Sequence, residues 1–366
     1  MKIAVAGVIT KPIEQNPFGG TEALTYLLVK GLVSQGHEVT LYCAEGSKTD
    51  ATHHVYICDP KEAIKSSSNV DFVYPYTLIE VKKIIEDVNK NKYDILHVNF
   101  LKTFLLSFFS SEIKIPILHT IHRDFFEHQE FYNLYNTIGF NKNEDFCFVS
   151  KNAFSKSLLK NNVHYINNGI DIDIYPKSTH TQFSSYVWLS RIDPLKGPDI
   201  AAKAADKLGL SMILSGDIDR KKYQSYFDNE IEPLLSDKVL YEPAKGLERK
   251  KELFQQSKAF VFPIQWEEPF GLVVVEALSS GTPVIAFDRG AMKEIIIDGE
   301  TGYLVNPEDG LNGIVEAMKK LESLSAAEYM TMRNNCRASV EKNFTYQRMA
   351  KEYISLYLQL INKFNS

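Results

Sequence analysis

"WEEPFGLVVVEALSSGTPVIAF" occupies Trp266–Phe287. It sits between a strand-like run, Ala259–Pro263, and ends in a second, Pro283–Phe287. Pro269 suits the first turn of a helix, where its missing N–H costs nothing, and Gly281 suits the stop. The spacing therefore predicts a helix from about Phe270 to Ser280. Apolar strand, apolar helix and apolar strand in succession make a crossover unit of a parallel sheet. The backbone N–H groups of Phe270, Gly271 and Leu272 would lack partners at the head of that helix, and Gly271 lets a ligand approach closely. That is an anion site. Yet Glu267 and Glu268 flank it, and Glu276 stands among Val273, Val274, Val275, Ala277 and Leu278. An acid near a helix N-terminus is ordinary electrostatics, which suffices for Glu268. It does not account for Glu276.

Outward from this stretch, short apolar runs alternate with helical ones. Ile3–Val8, Val39–Cys43, Asp94–Val98, Pro116–Ile121, Phe146–Ser150 and His164–Asn167 read as strands. Thr21–Gln35 reads as a helix stopped by Gly36. A polar stretch with Pro176 follows, and the alternation restarts: Tyr186–Leu189, Met212–Ser215, Val239–Tyr241, Ala259–Pro263, Pro283–Phe287 and Tyr303–Val305. Beyond about Ala326 only helix is expected. The pattern predicts an α/β chain of two doubly wound, Rossmann-like domains: residues 1–170, a linker 171–185, residues 186–345, and a helix 346–366 that returns to the first domain.

Composition narrows the function. The 366 residues suit two domains, with 44% hydrophobic residues for two cores. A net charge of −5 gives no general attraction to nucleic acid. Cys43, Cys58, Cys147 and Cys336 are scattered, without metal-ligand spacing or a disulfide framework. Met1–Gly7 runs straight into a strand rather than a secretory leader, and no run of about 18 apolar residues is present. A cytoplasmic chain is expected. After the first strand no G-x-G-x-x-G appears, which disfavours a nicotinamide-dependent oxidoreductase.

Amides for phosphate beside carboxylates for hydroxyls would suit a nucleotide sugar, which carries both. Here the chain resembles the retaining glycosyltransferases of family 4, with the GT-B fold. The resemblance rests on Glu268-Pro269-Phe270-Gly271-Leu272 followed by Glu276, on "LSRIDPLKGPDIA" (Leu189–Ala201), on "NPFGGTEALTYLLVKGLVSQGHEV" (Asn16–Val39) and on "GTPVIAFDRGAMKEIIIDGETGYLV" (Gly281–Val305). It implies two domains facing each other across a cleft, the donor on the second and the acceptor approaching through the first. Arg191 and Lys196 would grip the diphosphate. Glu276 would hold the ribose hydroxyls. Glu268 would bind the donor sugar beside the amides of Phe270, Gly271 and Leu272. Gly19 and Gly20 would bring a loop to the phosphate side, and His122 would lie beside the transferred sugar. Tyr241–Leu247 would line the base pocket. No cofactor and no metal are implied; the donor is a co-substrate.

On their own residues these assignments are unequal. Arg191 and Lys196 follow a strand, at the end where doubly wound sheets bind ligands. Gly19-Gly20 alone is a plain turn, and His122 or His97 alone is more often a satisfied core histidine. His119 and Asp124 flank His122 as support or acceptor contacts. Asp171–Asp173 and Asp217–Asp219 spell D-x-D, but such pairs arise easily by chance. Phe100–Phe109 is read as a helix packed on the sheet, with a peripheral membrane contact at the inner face as the lesser reading. The expected function is metal-independent, retaining transfer of a hexose or N-acetylhexosamine from a nucleoside diphosphate sugar, UDP-linked, to a hydroxyl of a glycan or lipid-linked acceptor. The alternatives are a small-metabolite acceptor, or a non-catalytic nucleotide-sugar-binding partner protein.

Overall fold

A computed structural model describes the chain apart from residues 16–18, 63–69, 101–103, 124–128, 140, 181–182 and 184, and apart from the side chains of 70–74, 104, 131 and 138. It divides into two compact units, Met1–Gly169 with Tyr346–Ser366, and Ile170–Thr345.

The first unit holds strands β1 (Lys2–Ala6), β2 (Glu38–Cys43), β3 (His53–Tyr56), β4 (Ile95–Val98), β5 (Ile117–Ile121), β6 (Glu144–Phe148) and β7 (Val163–Tyr165). They pair in parallel in the order β3-β2-β1-β4-β5-β6-β7. Ile3 to Ala6 are fully buried, as a strand covered on both faces requires. The edge strand β3 was not expected: His53-His54-Val55-Tyr56 is half exposed and carries no apolar run. Strand β6 starts at Glu144, two residues before the predicted Phe146, because Glu144 and Asp145 are buried with partners of their own. Ser150, predicted as its end, instead caps the next helix by accepting the Ala153 N–H.

Helix Gly20–Ser34 ends where Gly36, at φ +80°, donates to Val33 O and His37 donates to Leu32 O. That pair of bonds is a Schellman stop. Its neighbour is the final helix, Tyr346–Asn365, which packs on it within this unit. A Cβ on Gly31 would lie 2.5 Å from Ala350 Cβ, so only glycine allows the approach. His97 fastens the same helix to the sheet. Its ring nitrogens meet the Tyr357 hydroxyl at 2.5 Å and the Thr120 hydroxyl at 2.6 Å, and Thr120 in turn meets Tyr353 at 3.0 Å.

The second unit holds β8 (Ser185–Leu189), β9 (Ser211–Ser215), β10 (Val239–Glu242), β11 (Ser257–Phe262), β12 (Val284–Phe287) and β13 (Gly302–Val305), all parallel, in the order β10-β9-β8-β11-β12-β13. The segment read as linker packs on this unit. Ser178 N–H donates to Ser280 O, Ser178 Oγ–H to Gln255 O, and Tyr175 is buried. In each sheet the chain leaves one central strand toward one edge and resumes beside it toward the other, between β1 and β4 and between β8 and β11. Doubly wound sheets bind ligands outside the carboxyl ends of such strand pairs.

Candidate active site

The loops after β8 and β11 open at the switch point of the second unit, and they are tied together: Gln265 N–H donates to Leu195 O. After β8, Asp193 accepts the Leu195 N–H and starts the single turn Pro194–Lys196. The turn closes on Gly197 at φ +66°, where a Cβ would lie 2.2 Å from Pro263 O. The Trp188 indole donates to Lys196 O. The Lys196 backbone is thus held from two sides, and its ammonium reaches Glu268 Oε2 at 2.6 Å, over the Trp266 ring. Arg191 does not join this group. Its guanidinium is 3.8 Å from Asp193 Oδ2 and its side chain is 73% exposed.

Helix Leu272–Ser279 starts two residues later than expected. Gly271 precedes it at φ +94°, a left-handed conformation that no α-helical residue adopts, so Pro269 and Phe270 lie outside. Thr282 N–H bonds to Ala277 O and Gly281 N–H to Leu278 O, the expected glycine stop. Phe270, predicted to bind donor, turns its ring into the core against Phe344, so only its backbone is available to a ligand. Leu272 opens the helix, whose first-turn amides carry the positive end of its dipole. Glu268 lies beside this turn. Its Oε2 also accepts the Trp266 indole N–H at 3.0 Å. Glu267, the other acid, accepts the Gly290 N–H and faces Arg289 at 3.8 Å, which braces the next loop.

Glu276 follows one turn into the helix with separate partners. Tyr175 O–H donates to Oε1 at 2.7 Å, and Lys250 Nζ reaches both oxygens at 3.0 and 2.9 Å. Sequence reasoning missed Tyr175, Lys250, Trp266 and Gly290. Tyr175 lay in the apparent linker, and Lys250 is one cation in a charged helix; Trp266, the first residue of the decisive stretch, was the one legible signal. Tyr241, proposed for a base pocket, donates its hydroxyl to Gly216 O and packs edge-on to Phe227.

In the first unit the corresponding switch point gathers different residues. His122 follows β5 directly, and its Nε2 lies 2.6 Å from Asn99 Oδ1, just after β4. Burial pushes the imidazole down to about 4. Gly19 caps helix Gly20–Ser34 in extended conformation, and the Glu22 carboxylate folds over it; a Cβ on Gly19 would lie 1.9 Å from Glu22 Oε2. An anion brought to Gly19 and Gly20 would have to displace that carboxylate. His119 does not support His122; it packs on Phe146 and meets Glu144 at 3.1 Å. Asp124 lies outside the described residues. Both D-x-D pairs bond to backbone: Asp171 accepts the Asp173 N–H and Asp219 the Lys221 N–H within turns, while Asp217 accepts the Ala244 N–H of the loop after β10. Of Phe100–Phe109, residues 101–103 are outside the described residues, and Phe104–Ser107 form a short helix. Among the described residues no helix is long and apolar enough to cross a membrane.

The family model described as "Glycosyltransferase Family 4" matches residues 18–174, and "Glycosyl transferases group 1" matches 177–342. The chain is a family 4 glycosyltransferase. This glycosyltransferase is 21% identical to spore coat protein SA of Bacillus subtilis, over 98% of its own length and 99% of that protein. Among solved structures, sucrose-phosphate synthase from Thermosynechococcus elongatus superposes with a TM-score of 0.79 at 18% identity, covering 99% of this chain and 100% of that one. Anabaena HepE in complex with UDP-glucose gives 0.74 at 18% identity, covering 98% and 100%. The fold is GT-B, two Rossmann-like domains in one chain, and the donor of the glycosyltransferase is a sugar nucleotide.

Proposed function

We propose that the chain is a retaining hexosyl- or N-acetylhexosaminyltransferase that uses a UDP-linked donor and a hydroxyl of a glycan or glycolipid acceptor. The observation that carries the reading is the Lys196–Glu268 pair at the left-handed turn of Gly271. One cation for the diphosphate and one carboxylate for sugar hydroxyls stand side by side at the head of a helix. Glu276, one turn on, suits the ribose diol. Arg191, exposed on the same loop as Lys196 and paired only at 3.8 Å with Asp193, suits a closing contact on the phosphates. The complex of Anabaena HepE with UDP-glucose supports the choice of uracil base.

The developing charge of the reaction gathers on the distal phosphate. Arg191, Lys196 and the helix amides stabilise it there, in the role a divalent cation plays elsewhere. The glycosidic bond then loosens before the acceptor bonds fully. The acceptor enters on the face the phosphate leaves, and the phosphate takes its proton. The test is UDP release from UDP-glucose, UDP-galactose and UDP-N-acetylglucosamine in the presence of a chelator, with NMR of the fresh product. An α-linked donor should give an α-linked product; a β-linked one would show inversion, and activity restored only by manganese or magnesium would remove the metal-free mechanism. Binding with no turnover of any donor would favour the non-catalytic partner protein.

A further inference from the structure

The hydrogen bonds around Asn99 run in one direction. Thr25 Oγ1 lies 2.8 Å from Thr21 O. A carbonyl only accepts, so the Thr25 proton is spent there and Thr25 must accept its other bond. That bond, at 2.7 Å, comes from Asn99. The amide group facing Thr25 is therefore NH2, which turns Oδ1 toward His122. Oδ1 also only accepts, so the bond at 2.6 Å requires the proton on His122 Nε2. The chain of reasoning settles both the amide orientation and the imidazole tautomer by chemistry.

Thr25 and Asn99 are buried, at 0% and 2% exposure, so water does not compete for these bonds. His122 is only half buried and lies at the carboxyl end of β5. With its pKa pushed down to about 4, its ring is neutral at neutral pH and carries a single proton.

We infer that Asn99 and Thr25 are positioning residues for His122: they fix its Nε2–H tautomer, so that Nδ1 is offered as a hydrogen-bond acceptor to a substrate hydroxyl. The inference rests on the reading of the chain as a transferase in which His122 meets substrate. It adds the direction of the contact: the hydroxyl donates and the histidine accepts. A sugar or acceptor in which that hydroxyl is methylated or replaced by fluorine could not donate, and should be discriminated against.

The test is proton–nitrogen correlation NMR of the imidazole rings, His122 being assigned by the loss of its signals in His122→Gln, together with UDP release from UDP-glucose. The wild-type chain should show the Nε2–H tautomer. Thr25→Val, the same shape without a hydroxyl, frees the Asn99 amide to turn; Asn99→Leu removes it. Both should lose the single tautomer and lower kcat/KM about tenfold, the worth of one good hydrogen bond. Thr25→Ser keeps the hydroxyl and should keep both properties, which separates the relay from a packing defect. An Nδ1–H tautomer in the wild type overturns the inference while leaving the transferase standing. So does an Nε2–H tautomer that persists, with unchanged kcat/KM, in Thr25→Val and Asn99→Leu. Should the tautomer behave as stated in a chain that releases UDP from no donor, the relay stands and the transferase reading fails.

Discussion

The Lys196 ammonium lies 2.6 Å from Glu268 Oε2, and the same oxygen accepts the Trp266 indole N–H. Both charged side chains are only about one-seventh exposed, at 14% and 15%. Neither is free to serve a ligand without the other's adjustment. Lys196→Ala should weaken UDP and UDP-glucose alike, by one charge-assisted bond of about 1.5–3 kcal/mol. Glu268→Ala should weaken UDP-glucose only. Free UDP should bind equally well or more tightly, because Lys196 is released from its partner. Calorimetry on both ligands decides; equal losses on UDP and UDP-glucose in Glu268→Ala would sink this division of roles.

Glu276 already accepts three bonds, one from Tyr175 and two from Lys250. A ribose diol must therefore share the carboxylate with Lys250 or displace it. Lys250→Met should destabilise the ligand-free chain by about 1–3 kcal/mol, since it leaves a shielded carboxylate short of partners. UDP hydroxyls would then restore those partners, so the rise in Tm produced by UDP should be larger in Lys250→Met than in the wild type. If UDP no longer raises Tm in that variant, Lys250 is itself a ligand contact and the competition does not exist.

Gly290 holds the backbone of Glu268. At φ +63°, a Cβ there would lie 2.2 Å from Glu268 O and 2.3 Å from Glu268 N, and Ala291 N–H donates to Glu268 O. Backbone cannot swing aside as the end of a side chain can. Gly290→Ala should cost more than the roughly 1–2 kcal/mol of left-handed strain alone. It should also lower kcat/KM for the sugar donor more than it lowers UDP affinity, because Glu268 moves and Glu276 does not. Thermal unfolding with steady-state kinetics checks both parts; a variant with normal Tm and normal kinetics contradicts the assignment.

Periodicity and glycine stops were enough to read the two parallel sheets, because strands buried on both faces leave unbroken apolar runs. They were not enough for β3, whose His53 and Tyr56 are exposed at an edge. The switch-point loops were legible where their chemistry is unusual for its setting: Glu276 among valines, a lysine just after a strand. Tyr175 and Lys250 were not, since each becomes a site residue only through a partner far along the chain, 101 and 26 positions away. The direction of the helix head was misread by two residues because Pro269 fits a first helical turn equally well as the loop before it. Nothing local announces that Gly271 is left-handed.

Acid should destabilise the first unit through His97 and His122, in the same sense as His37 and His54, which burial also lowers. Glu80 acts against them, because its buried carboxyl is raised well above its usual range and gains stability on acidification. Burial lowers His97 to about 3, with His122 and His119 adding to the effect, and lowers His122 to about 4. Their value outside the fold is 6.5. Below that value the unfolded chain binds protons that the folded chain refuses. Stability is therefore fully present above about pH 6.5 and falls as the pH drops toward 4 and then 3. Each such proton contributes about 1.4 kcal/mol per pH unit inside its window. Glu144, held below the usual carboxylate range by its bonds to His119, Ser107 and Ser110 despite its burial, adds to the loss only below its ordinary 4.5. Between pH 6.5 and 5 the histidines act without it. The wild-type Tm should decline through that interval, and His97→Gln, which keeps a polar group for Tyr357 and Thr120, should decline with a slope smaller by about one proton. A His97→Gln variant whose Tm falls between pH 7 and 5 as steeply as the wild type would show that the His97 imidazole does not resist protonation in the fold.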